Sequence, residues 1–152
     1  MSHSIRVGSP DELLPDMIEK ISRGEGFWLT VTGGSMFPTL HDESDSVYIE
    51  PLNGKIRVGD IPLVMDGCQH CILHRVIRID GDMFYLRGDA LFRVEGPIPH
   101  TSILGIATLY RRNEKVRKLS GRRPLPVHLY RGRYFCRVQI RRIYRKLSGK
   151  GI

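Results

Sequence analysis

A chain of 152 residues with 41% apolar residues is long enough for one domain with its own core. It has no apolar run near the roughly 18–20 residues of a membrane span, no apolar stretch after residues 1–6 to make a signal peptide, and only three cysteines, which excludes a secreted disulfide framework and points to the cytoplasm. The formal charge of +8 is lopsided: residues 1–110 hold 9 Lys/Arg against 15 Asp/Glu, whereas residues 111–152 hold 15 Lys/Arg and one acid, Glu114.

In chain order, residues 9–23 read as a helix. Ser9 can cap it, Pro10 suits its first position and Glu12 completes a capping box. Leu13, Leu14, Met17, Ile18 and Ile21 share a face. Pro15 predicts either a kink or a start only at Leu14. Strands are predicted at 27–32, 46–50, 61–66, 72–79, 83–87 and 101–110, joined by Gly-, Asp- and Pro-rich turns. Residues 95–99, Glu-Gly-Pro-Ile-Pro, read as a rigid loop. The fold class is therefore mainly β, a compact coiled sheet or barrel-like domain. Its expected organisation is a helical segment (1–26), a domain (27–110), and a basic linker with an amphipathic helix from Val127 to Leu147 (111–152).

Between the first two strands lies Thr32-Gly33-Gly34-Ser35-Met36-Phe37-Pro38-Thr39-Leu40. Two glycines allow close backbone approach or positive φ, and Pro38 stiffens the end of the turn. Ser35 is thus expected on a constrained turn at a strand end, a position suited to a nucleophile. Six histidines offer a base. His74 stands out, inside an apolar strand and beside Arg75; a neutral imidazole there can take the serine proton. A structural histidine is the alternative reading. Asp89, in Gly88-Asp89, can orient His74 as the third member of a triad, or simply bond its own turn. Cys68-Gln69-His70-Cys71 resembles half a zinc site, but one hairpin turn is a poor source for a closed metal site, and no cofactor or metal is expected.

Together, Gly34-Ser35-Met36-x-Pro38-Thr39-Leu40, Gly59-Asp60, His74-Arg75-Val76 and Gly88-Asp89 resemble, in order, the motifs of the S24/S26 serine peptidase superfamily, the signal peptidase I and LexA-type domains. The resemblance implies a serine endopeptidase with Ser35 as nucleophile and His74 as base. The histidine matches the endoplasmic-reticulum, archaeal and sporulation-type branch, not the lysine-using branches. It implies Asp89 as the supporting acid, with Glu95 as the alternative, and a peptide seated near Thr32, Gly34, Met36 and Leu73. Asp60 matches a structural turn.

A membrane anchor and a LexA-type self-cleavage site are not seen, so a stand-alone soluble peptidase is expected. A catalytically silent peptide-binding module and a LexA-like regulator are the competing readings. The basic helix from Val127 to Leu147 suits an anionic membrane surface, which would place the protein peripherally on the inner membrane face. A partner protein is its other expected target, and nucleic acid is disfavoured for want of a reading motif.

Overall fold

The computed structural model describes residues 10–65, 71–119 and 121. Helix α1 (Pro10–Ser22) leads into β1 (Phe27–Thr30), β2 (Asp45–Glu50), β3 (Pro62–Met65), β4 (Cys71–Leu73), β5 (Arg75–Asp80), β6 (Met83–Arg87), β7 (Glu95–Pro99), β8 (Ile103–Arg112) and β9 (Lys115–Lys118). The predicted helix from Val127 to Leu147, the Ser9 cap, Cys68 and His70 lie outside the described residues.

The fold is mainly β, a curled half-barrel sheet with one N-terminal helix. The larger sheet runs β1-β2-β8-β3-β4, with β9 also paired to β8, and β5-β6-β7 form a second sheet. All pairings are antiparallel. The period-2 alternation of a strand sends successive side chains to opposite faces. In β3 both faces are covered, so Leu63 enters one core and Val64 the other. The first core gathers Met17 of α1, Phe27, Val31, Met36, Leu40, Val47 and Ile49. The second gathers Ile56, Val64, Val76, Phe84 and Leu86 between the two sheets.

Three sequence expectations are corrected. The strand predicted at 72–79 is two strands in different sheets: Leu73 pairs with Leu63 of β3, and Arg75 pairs with Arg87 of β6. The chain changes sheets at His74. The rigid loop at 95–99 is β7; its prolines are tolerated because β7 is the terminal strand of its sheet, where a missing N–H costs no ladder bond on the open side. The domain does not end at residue 110. Asn113 (φ 49°) and Glu114 (φ 61°) both adopt left-handed backbone, the geometry of a two-residue hairpin turn, and return the chain as β9. Helix α1 begins at Pro10, the first helical position expected from the sequence, and of the two alternatives raised by Pro15 the late start at Leu14 does not occur.

Candidate active site

The serine turn is held at both ends by backbone bonds. Val31 N–H donates to Asp45 O (2.9 Å) and Glu43 N–H donates to Val31 O (2.8 Å), so the chain leaves β1 clamped to the start of β2. Within the turn, Phe37 N–H donates to Gly34 O (3.1 Å) and Leu40 N–H to Met36 O (3.0 Å). Gly33 takes φ +79° and its N–H donates to Asp42 Oδ1 (2.8 Å), a conformation an L side chain resists. Met36 and Leu40 plug the turn into the core. The segment 88–90 braces it from outside: Ala90 N–H donates to Ser35 O (2.8 Å), and a Cβ on Gly88 would lie 2.6 Å from that same oxygen. Ser35 is therefore presented by a turn fixed at its own carbonyl. Among the described residues, neither the Ser35 hydroxyl nor its backbone N–H makes a hydrogen bond.

His74, 7% exposed, occupies the junction of β4 and β5. Its Nδ1 is 2.7 Å from Oε2 of Glu95, the first residue of β7. That contact holds the ring and leaves Nε2 as the nitrogen available to a reacting group. The expectation that Asp89 supports His74 is corrected here. Asp89 is fully buried and accepts from Arg75 Nε and Nη2, each at 2.8 Å, and from the Thr39 hydroxyl. Arg75 Nη1 also donates to Gly59 O (3.0 Å).

The physical reason lies in adjacency. His74 and Arg75 are neighbours and send their side chains to opposite sides of the chain. A buried guanidinium needs a carboxylate, and Asp89 satisfies it. The imidazole takes the other acid, Glu95. Asp60 does sit in a turn: its carboxylate accepts from Arg57 N–H (2.8 Å) and its carbonyl from Val76 N–H (2.8 Å).

Ser35 and His74 line one cleft of about 200 Å³. Its walls come from opposite ends of the larger sheet: Leu29 and Thr30 of β1 on one side, and Cys71, Ile72 and Leu73 of β4 on the other. The half-barrel thus brings its two outermost strands to the same opening. Thr32, Met36 and Leu73 line this cleft, although Met36 is at the same time a core residue. Gly34 is not part of the lining and acts through its carbonyl inside the turn. No hydrogen bond joins the Ser35 hydroxyl to His74 among the described residues; such bonds commonly tighten only when substrate is seated.

No family model matches the chain, and no curated protein matches it.

A second ion pair lies beneath the serine turn, and sequence reasoning misses it. Arg112 donates to buried Asp45 through Nε (2.8 Å) and Nη2 (2.6 Å), and its Nη2 also donates to Thr39 O (3.1 Å). His41 N–H donates to Asp45 Oδ2 (2.8 Å), and its ring stacks on Phe37 at 5.2 Å. Burial opposes ionisation of Asp45, but the hydrogen bonds from Arg112 and the His41 backbone outweigh it and hold the carboxyl below its ordinary value. Burial, with the Arg112 cation beside it, lowers the His41 pKa as well. The one sequence signal for this pair is an arginine two residues past the predicted strand 101–110.

Proposed function

We propose that the chain is a serine endopeptidase of S24/S26 type, with Ser35 as nucleophile, His74 as general base and Glu95 as the acid that orients His74. The observation that carries this reading is the union of Ser35 and His74 in one cleft, with the Nδ1 side of the imidazole already engaged by a carboxylate. Ser35 Oγ adds to a peptide carbonyl as His74 takes its proton. The Ser35 backbone N–H, without an intramolecular partner among the described residues, would donate to the oxyanion. The C–N bond then breaks, His74 returns the proton to the leaving amine, and water releases the acyl group by the same steps. A substrate in extended form would pair with β1 and β4 at the rim of the cleft.

The test is labelling with a fluorophosphonate probe. Wild-type protein should react on Ser35, while Ser35→Ala and His74→Ala should not. Labelling that survives Ser35→Ala would sink the assignment.

A further inference from the structure

Helix α1 adds a side chain to the cleft that neither sheet supplies. Met17, 6% exposed, lines the same cavity as Ser35 and His74. The other apolar walls include Leu29, Met36, Val47, Leu63 and Leu73. Four of those are set by strand register, and Met36 is tied into the serine turn. Met17 alone depends on how α1 docks. The helix lies close against β8 because Gly105 has no side chain: a Cβ there would meet Ile49 Cγ2 at 2.7 Å and Ile21 Cδ1 at 3.2 Å. Ile21, one turn beyond Met17, therefore anchors the helix, and Leu14, one turn before, packs on the same core.

We infer that Met17 is the specificity-determining residue of the cleft: through it, α1 sets how large an apolar side chain, on the acyl side of the scissile bond, can be seated beside Ser35. This rests on the peptidase reading above. The lining offers a substrate side chain apolar contact and few polar partners, so a charged side chain would be desolvated there without compensation. A cleft of about 200 Å³ also has to hold the backbone of the same substrate residue, so the thioether at its helix-facing wall limits what remains. Shortening Met17 opens that wall without touching Ser35, His74 or Glu95.

The experiment is protection of Ser35 from fluorophosphonate labelling by acetyl-Ala-Ala-X aldehydes, with X = Ala or Phe. In the adduct Ser35 Oγ bonds to the aldehyde carbon, and the carbonyl oxygen takes the serine proton, so no leaving group is needed. Met17→Ala should raise the preference for Phe over Ala at least fivefold relative to wild type, and Met17→Leu should keep the wild-type ratio within twofold. An unchanged ratio in Met17→Ala, with Ser35 still labelled, overturns the inference and leaves the peptidase reading standing. Labelling that persists in Ser35→Ala, or no protection of wild type by either aldehyde, overturns both. Should Met17→Ala not fold, wild-type protein with 13C-labelled methionine methyls decides. Binding of the Phe aldehyde must shift the Met17 signal, assigned by its loss in Met17→Leu; an unmoved signal overturns the inference.

Discussion

At the residue scale the two acids near His74 separate into different tasks, and their substitutions should read differently. The Glu95 side chain is 24% exposed and bonds the imidazole. Glu95→Gln should leave the melting temperature nearly unchanged, since a partly exposed pair contributes about 1 kcal/mol or less. Its fluorophosphonate labelling rate should fall by up to about 10⁴-fold, because the ring loses the carboxylate that fixes its tautomer and orientation. Asp89→Asn should do the reverse in first order. It removes the carboxylate that grips the buried Arg75 guanidinium at two nitrogens, at a cost of about 3–5 kcal/mol, visible as a large drop in thermal or urea stability. The Asp45 and His41 shifts set a second prediction. Both groups have folded values below their ordinary ones, 3.8 and 6.5. Each therefore stabilises the fold above its unfolded value, and the contribution is lost as pH falls through the folded value. The melting temperature should decline below about pH 6.5 and again below about pH 4. His41→Asn should remove the first decline and keep the second; an unaltered first decline would exclude His41 as its source.

At the element scale the site depends on a loop pressed against a turn. Gly88 runs so close to Ser35 O that a methyl group would sit 2.6 Å from a backbone oxygen and 3.0 Å from Leu91 Cδ1. Neither the oxygen nor the Ala90–Ser35 bond can yield without moving the serine. Gly88→Ala should thus cost about 1–3 kcal/mol as overpacking and abolish labelling even where the protein stays folded. Gly81→Asn is the control: its φ is +57°, open space surrounds it, and asparagine tolerates that backbone. Labelling and circular dichroism on the pair separate a displaced serine from general unfolding. The strands themselves are largely legible in the sequence, because alternating apolar residues between Gly, Asp and Pro turns have few other solutions. The break at His74 is not, since the apolar run 71–77 continues across it and only pairing partners reveal that Leu73 and Arg75 belong to different sheets. The choice between Asp89 and Glu95 is hidden for a related reason. Both acids are visible, but the choice is governed by Arg75, whose need for a buried counter-ion outranks the tidiness of a short carboxylate at a strand end. Reading Arg75 as a buried cation would assign Asp89 to it.

At the scale of the whole molecule, the hairpin β8–β9 moves the domain boundary past the first of the basic residues. Arg112 reaches back to Asp45 beneath the serine turn, and β9 pairs with Leu109 through Arg112. Gly121 then lies against Gly59, where a Cβ would meet Gly121 O at 2.3 Å. The first part of the region read as a linker is thus structural, and ten further Lys/Arg lie in residues 122–152. A chain ending at residue 121 should melt within a few degrees of the full chain and keep Ser35 labelling. One ending at residue 113 should lose several degrees, because it removes a paired strand. The 121-residue form discards ten of the fifteen Lys/Arg that follow residue 110 and keeps β9, so the pair serves as a membrane test. Among the described residues no helix is long and apolar enough to cross a membrane. Each Lys or Arg near an anionic leaflet contributes about 1 kcal/mol at low salt, which the ten Lys/Arg of residues 122–152 would turn into firm, salt-sensitive binding. Flotation with vesicles containing phosphatidylserine should carry the full chain, release it at high salt, and leave the 121-residue form at the bottom of the gradient. Flotation of both forms alike would place the contact on the folded domain, and flotation of neither would turn the tail toward a protein partner.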